Sequence, residues 1–469
     1  MATQKNMKDL TADADILAKS FDYVSYLDQL YAPVDYETGD DTAEAPPNRR
    51  CWIPLSKQDI QEKARAQFDT AFGKRGTTSD FVYLVDQAAR EFNPVKDVQP
   101  WLLIKTEQGL KALHEDGLLY EPDGQFIPNM LVPMLNENPD DKAEVLKIIT
   151  DWLGGEVEAT TSLLYHLATA LAPHWSAGKY VLLIGDGRNG KSVLTTMLEK
   201  LFGERNCSGV DRQTIAAGDV GMFDLNGKLL NLVYDGSAEF IKDSGREKSL
   251  VTGEKVKKRK IYDDVQSAAW TSALFIESLN QEPRTSDKSS ALQARLVRFS
   301  FPNKYVTNDA FYAHMCSERM LGALLSLLLD HYVLQSEKAE KLAQTAKSRK
   351  MQLEHMVDNS IALQFIVHLE ETEPLGAADE LIGMWFDELV SKFSSWRTSL
   401  LDMSVYDRGL MNDLFGPYVK TKRGSKRPSP KQNAVSMQRI IELKPDTLDL
   451  LAFLKEDNNA ATMVEIGPV

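Results

Sequence analysis

The pattern of apolar and polar positions changes character twice between Lys179 and Phe202. Tyr180-Val-Leu-Leu-Ile184 is an unbroken apolar run, the pattern of a strand buried on both faces of a parallel sheet. A glycine-rich polar stretch, Gly185–Ser192, interrupts it. Beyond it Val193, Leu194, Met197, Leu198 and Leu201 recur at helical spacing, and Gly203 stands where a C-cap is expected. The pattern therefore predicts strand, tight loop and helix in that order.

The flanking pattern organises the rest of the chain. Residues 1–50 form a polar, acidic leader with room for a short helix within Met1–Leu30, and Asp35–Pro47 reads as a loop or disordered linker. Residues 51–178 read as mainly helical, with helices over Ser56–Phe68 (Ser56 as N-cap), Thr78–Phe92, Asp140–Leu153 and Glu158–Ala172. A Pro-Asp-Gly turn within Gly117–Phe126 predicts a hairpin insert. Residues 179–303 alternate strands and helices, the signature of an α/β core. Helices follow at Met320–Leu334 and Glu337–Met356, closing a domain over 179–356. Residues 357–469 form a smaller C-terminal domain with helices at Ala377–Phe393 and Asp402–Leu414, a basic loop and a frayed end from Asp457.

Composition excludes several classes. The 469 residues are 43% hydrophobic and 26% charged, ordinary for a globular protein of two to four domains. No apolar run reaches the roughly 18 residues of a membrane span, and the first residues lack an apolar signal core. The three cysteines lie far apart without metal-ligand spacing, which fits a reducing cytoplasm and no structural zinc. The net charge of −14 argues against a surface that coats nucleic acid without selectivity. Any polyanion partner must meet local clusters of cations.

The chemistry starts at Gly185-Asp186-Gly187-Arg188-Asn189-Gly190-Lys191-Ser192, which fits G-x-x-x-x-G-K-[ST]. The glycines allow backbone N–H groups to converge on phosphates, and the start of the helix, including Val193, adds partial positive charge. Lys191 would reach the β- and γ-phosphates, and the Ser192 hydroxyl would ligate Mg²⁺. Leu229–Tyr234 is an apolar strand ending in Asp235, the candidate second metal ligand or, alternatively, a capping residue at a strand end. No glutamate follows it directly, and Glu239 is the nearest candidate base. Lys255, Lys257, Lys258, Arg259 and Lys260 then crowd into six positions, either a hairpin aimed at phosphates or a solvated loop. Trp270–Asn280 is a further apolar strand, with Asn280 placed to orient water or sense phosphate. Arg295 and Arg298 precede and enter a last strand, and one of them could act as an arginine finger. A second cationic cluster, Lys420–Lys431, contains Lys422, Arg423, Lys426 and Arg427.

In this order, GDGRNGKS, LNGKLLN with Asp235, VTGEKVKKRKIY, SLNQEP and ALQARLVRFSF resemble the superfamily 3 helicases. The resemblance is narrower to the phage, plasmid and poxvirus replicative helicases that are often fused to a primase, and it covers roughly 115–356. It implies an AAA+-like P-loop core with a collar-like helical region before it. It also implies a ring, a hexamer in such helicases, that moves 3′ to 5′ on single-stranded DNA and meets forked DNA. Lys191, Ser192 and Asp235 would bind ATP and Mg²⁺, Asn280 would be sensor 1, and Arg295 would act across the subunit interface. The block Lys255–Lys260 would be the DNA-gripping hairpin.

Three departures qualify the match. A single Asp235 stands where an acidic doublet is common, and Ala294-Arg295 stands where paired arginines are usual, so Arg298 shares the candidacy. No primase domain is legible, so a separate primase or polymerase would supply primers. The C-terminal cluster reads either as the basic wing of a winged-helix module or as a basic linker. The resulting expectation is a replicative helicase of a phage or mobile element, at work in a bacterial host's cytoplasm. An ATP-switched initiator or loader, and a P-loop ATPase unrelated to DNA, are the competing readings.

Overall fold

The computed structural model describes residues 2–20, 23–26, 29–35, 50–67, 78–92, 99–122, 126–259, 266–269, 271–285, 287, 290–374, 376–400, 414–426, 435–445 and 447–452. The expected linker at Asp35–Pro47 and the frayed end lie almost wholly outside them. Two compact units result. One comprises Met1–Ala238, Gly245–Gln281 and Arg295–Thr345; the other comprises Glu239–Ser244, Glu282–Ala294 and Ala346–Val469.

The first unit is built on a five-stranded parallel sheet. In space the strands run Leu296–Ser300, Tyr180–Ile184, Leu274–Leu279, Leu230–Val233 and Cys207–Ser208. In chain order these are the fifth, first, fourth, third and second, so the strand ahead of the glycine-rich loop is interior. Ile184 pairs with Leu279 on one side and Ser300 on the other. Its neighbours Val181, Leu182 and Leu183 are all fully buried, which explains the uninterrupted apolar run. The helix Lys191–Phe202 packs Leu194, Met197, Leu198 and Leu201 into the core and ends at Gly203.

That core continues into the preceding region. Val145, Ile149 and Trp152 of helix Pro139–Trp152, and Leu163, Leu164 and Leu167 of helix Val157–Ala168, join it, as does helix Glu318–Asp330. The first of these helices starts where Asn138 Oδ1 accepts from the Asp140 and Asp141 amides. Residues 51–178 carry more strand than their pattern suggested. Leu102–Thr106, Gly109–Leu113, Leu119–Tyr120 and Asn129–Met134 form a four-stranded sheet. A tight turn falls at 114–118; the predicted Pro-Asp-Gly turn lies, apart from Pro122, outside the described residues. Asp116 Oδ1 accepts from the Leu118 amide at 3.0 Å, and Gly117 takes φ +81°. The leader holds a 19-residue helix, Ala2–Ser20, that packs on Thr78–Phe92.

A buried polar cluster sits on the sheet face opposite the cradle helix. Arg212 and Glu247, 1% and 2% exposed, pair at 3.1 and 3.3 Å. The Arg212 guanidinium lies 5.5 Å from the Tyr180 ring centroid. Glu277, 1% exposed, adds a second carboxylate whose oxygens have no hydrogen-bond partner of good geometry among the described residues. Burial pushes its pKa up to about 7, Glu247 and Asp211 push the same way, and Arg212 and Tyr180 oppose. The folded protein therefore holds this proton at pH values where the unfolded chain has released it. Stability should fall as pH rises from about 4.5 to about 7, by roughly 3 kcal/mol at most for this one group. Urea midpoints of Glu277→Gln across that range should lose this slope and exceed the parent's at pH 8; an unchanged slope would assign it elsewhere.

The second unit gathers helices Ala346–Asp358, Ile361–Thr372, Gly376–Leu381 and Phe386–Ser399 around Phe365, Phe393 and Phe415. Its long hairpin pairs Val419–Lys426 with Val435–Leu443. The expected helix Asp402–Leu414 lies outside the described residues except for its last one.

Candidate nucleotide site

The carboxyl ends of the sheet's strands converge on one cavity of about 790 Å³. From the first strand come Gly187–Val193, from the third Tyr234 and Asp235, and from the fourth Ser278 and Asn280. Ligands in open α/β sheets bind at such carboxyl edges. Residues more than forty positions apart in sequence thus share one wall, because parallel strands of similar length end at the same level.

The loop's shape follows from its residues. Gly187 and Gly190 take φ of 87° and 93°, and Arg188 takes φ 51°, a left-handed conformation uncommon for a residue with a side chain. A Cβ on Gly190 would stand 2.6 Å from the Trp152 indole, so the loop can lie on that ring only without a side chain there. Among the described residues nothing lies within 4 Å of a Cβ built on Gly187. Asn189 is buried and donates from Nδ2 to the Phe301 carbonyl at 3.1 Å, fastening the loop to the fifth strand.

Lys191 is 4% exposed. Its Nζ donates to the Gly185 carbonyl and, at 3.0 Å, to Asn189 Oδ1. Burial lowers its pKa, and the charges of Asp186 and Asp235 push it back up. A buried ammonium in a glycine cradle is the donor set a polyphosphate requires. Ser192 and Asp235 both line the cavity and could hold Mg²⁺, which takes few protein ligands and keeps phosphate and water oxygens for the rest. Among the described residues no group of three or more His, Cys, Asp or Glu side chains forms a metal cage.

The remaining sequence candidates are placed as follows. Glu239 is exposed, belongs to the second unit and does not line the cavity. The Arg295 carbonyl accepts from the Tyr180 amide at 2.8 Å, so Arg295 stands at the amino end of the sheet, opposite the cradle. Arg298 is 1% exposed within the fifth strand. Lys255 is exposed, and Lys257, Lys258 and Arg259 lie on Val256–Arg259, which pairs antiparallel with Gln266–Ala269 as a two-stranded hairpin. Lys260 and Arg427 lie outside the described residues. Lys422 is exposed on the C-terminal hairpin, whose same strand carries Arg423 and Lys426.

Sequence reasoning missed the far wall. Ile148, Asp151 and Trp152, and the segment from Tyr305 to Tyr312, line the same cavity. The aromatic density of residues 301–312 was the available signal, but no periodicity tied it to the cradle.

The fold and cavity define a mixed α/β protein with a parallel five-stranded sheet and a P-loop-like cradle at its carboxyl edge. A family model described only as a family of unknown function (DUF5906) matches residues 183–295. No curated protein matches the sequence. Among solved structures, the NrS-1 C-terminal region in its A-form apo state is 12% identical, with a TM-score of 0.48 over 88% of this chain and 94% of that one. A second apo structure of that region, residues 305–718, is 13% identical, with a TM-score of 0.44 over 92% and 99%. A structure titled as a JCV helicase with a bound acetamide compound is 14% identical, with a TM-score of 0.32 over 62% and 78%. No helix among the described residues is long and apolar enough to cross a membrane.

Proposed function

We propose that the chain is an ATP-dependent replicative DNA helicase that forms a ring, a hexamer, and moves 3′ to 5′ on single-stranded DNA. The observation that carries this reading is the convergence of Lys191, Ser192, Asp235 and Asn280 on one cavity. Their order along the chain, with the cationic hairpin between Asp235 and Asn280, matches the superfamily 3 pattern. The cradle amides and Lys191 hold the β- and γ-phosphates of ATP. Mg²⁺ held by Ser192 and Asp235 would neutralise charge developing on the phosphate oxygens. Asn280 holds the attacking water, whose oxygen bonds to the γ-phosphorus as the bond to the β–γ bridging oxygen breaks; that oxygen leaves with ADP, and the water's proton passes to an oxygen of the released phosphate.

Arg295 supports the oligomeric part. Its position at the amino end of the sheet is about 16 Å from its own cradle, five residues at about 3.3 Å each. In a head-to-tail ring whose interface joined the amino end of one sheet to the carboxyl end of the next, Arg295 would serve the neighbour's nucleotide. Arg298 is buried and is not offered to a neighbour.

DNA enters through the hairpin. Replacing Lys257, Lys258 and Arg259 by alanine should weaken single-stranded DNA binding and reduce its log–log salt slope by about 2, near 0.7 per lost contact. Basal ATP hydrolysis should persist. Unaltered affinity and slope would put the DNA contact elsewhere on the chain. The whole reading is tested with a forked duplex bearing a 3′ tail, where ATP should drive strand separation by the purified protein. ATP hydrolysis indifferent to DNA, without unwinding, would leave a nucleotide-binding protein of another kind. A separate primase or polymerase and a bacterial cytoplasm complete the proposal.

A further inference from the structure

The chain passes from the first unit to the second close to the cavity residues. Three residues beyond Asp235 it leaves the first unit at Ala238 for Glu239–Ser244, and one residue beyond Asn280 it leaves at Gln281 for Glu282–Ala294. Each of these two cavity residues thus stands at the root of a segment that belongs to the second unit. We propose that the second unit is a duplex-DNA-binding arm whose grip is set by the nucleotide, through these two paired segments. The proposal rests on reading Gly185–Ser192 as the triphosphate cradle and goes beyond it, to what the bound nucleotide regulates.

The two segments continue the pairing of the sheet. Its third and fourth strands set Leu230 beside Leu274 and Val233 beside Glu277, and further on Ile241 bridges Thr285, also in parallel and at the same offset of 44 residues. The Gly236 amide donates to the Ser278 carbonyl and the Ile241 amide to the Arg284 carbonyl, both at 2.9 Å. A Cβ on Gly236 would stand 2.3 Å from Glu277 Oε1, so this close approach needs glycine. Asp235 and Asn280 line the cavity between these two sets of bonds. A ligand held by both is therefore fixed to the paired segments at their middle, and loss of a γ-phosphate removes part of that hold.

Inside the second unit the far ends of these segments are bound to its helices. Asn359 Nδ2 donates to the Thr285 carbonyl at 3.2 Å, His355 Nε2 stands 3.5 Å from Glu282 Oε1, and Ser244 Oγ donates to Asp287 Oδ2. His355 lies on helix Ala346–Asp358, whose Leu353 packs in one cluster with Phe365, Val419, Ile440 and Leu443. Val419, Ile440 and Leu443 are the base of the C-terminal hairpin. The Ile440 amide also donates to the Met384 carbonyl at 3.0 Å, and the Gly383 amide donates to the Ile440 carbonyl at 2.8 Å. A close-packed core transmits displacement rather than absorbing it, so the hairpin and the paired segments share one rigid support.

The hairpin suits a duplex. Lys420–Lys431 holds six cations in twelve residues of an acidic chain. Lys420 is paired with Glu442, but the register sets Lys422, which is exposed, directly opposite Arg439. Like charges opposite one another destabilise a hairpin, and a phosphate lying between them relieves the repulsion. A two-stranded ribbon of this kind is of a width that the major groove admits.

The test is fluorescence anisotropy of a labelled blunt duplex on the full chain, with Mg²⁺ and either no nucleotide or a non-hydrolysable ATP analogue. Duplex affinity should change by about fivefold or more when the analogue binds. By reciprocity the duplex should change the analogue's affinity, read by calorimetry, by the same factor. Lys422→Ala with Lys426→Ala should lower the log–log salt slope for duplex by about 2, near 0.9 per contact, and leave single-stranded DNA binding unchanged. His355→Gln with Asn359→Ala should keep duplex binding and basal ATP hydrolysis but lose the dependence on the analogue. Should that variant not fold, hydrogen exchange of the parent reads the same link, as slower exchange over residues 282–294 and 346–359 once the analogue is bound. Duplex affinity indifferent to the bound analogue would overturn the proposal, as would unchanged exchange in those segments. So would a duplex salt slope untouched by the hairpin substitutions, or a loss of single-stranded rather than duplex binding in them. Failure of the cradle reading would look different: the analogue would then not bind with or without DNA, and the gating would fall with it.

Discussion

Lys191→Ala should lower the ATP hydrolysis rate by about 10²- to 10³-fold, the loss expected when one preorganised charge-stabilising donor is removed. The ammonium is 4% exposed and already poised on the Gly185 carbonyl and Asn189 Oδ1, so it need not be recruited from solvent when phosphate arrives. Burial makes its charge costly, and a polyanion repays that cost where water cannot. The helix Lys191–Phe202 is anchored by Leu194, Met197, Leu198 and Leu201, which the substitution does not touch. Steady-state hydrolysis assays of parent and variant, with thermal melts to show equal folding, decide the matter. A variant that hydrolyses ATP at the parent's rate would remove the cradle from the mechanism.

The largest stability effect should come from Arg212→Met. Arg212 neutralises Glu247 at 3.1 and 3.3 Å inside the protein and lies beside the second carboxylate, Glu277. Removing the guanidinium leaves buried negative charge without compensation, which costs about 3–5 kcal/mol. Equilibrium unfolding in urea should show the loss directly. A double variant, Arg212→Met with Glu247→Leu, should recover much of it, since replacing both members of a buried pair by apolar groups is often near neutral. If the single variant unfolds at the parent's midpoint, the pair is not carrying charge in the folded core.

The cradle was legible in the sequence because its information is local. Tyr180–Ile184 and Thr78–Phe92 occur over the predicted residues, since continuous apolar runs and amphipathic periods act within one element. Ser56 caps Lys57–Gln67 as expected: its Oγ accepts from the Asp59 amide at 3.1 Å, and Asp59 Oδ2 accepts from the Ser56 amide at 2.6 Å. The expected helix Glu337–Met356 is broken into Lys338–Lys341 and Ala346–Asp358, because nothing in its polar pattern demanded continuous packing. The four-stranded sheet of 102–134 was underread, since short strands pair with partners that a single sequence does not name.

By itself the sequence determined that a strand, a glycine-rich loop and a helix carry Lys191 and Ser192, because dihedral freedom and hydrophobic period are properties of adjacent residues. Only the tertiary structure decided that Asp235 and Asn280 face that loop, since parallel pairing aligns strand ends across long stretches of chain. It likewise decided that Arg298 is buried while Arg295 stands at the sheet's far end, and that Asp151, Trp152 and Tyr305 complete the cavity. Those placements follow from how helices and strands close over one shared core, a balance of many distant contacts that no short window of residues contains.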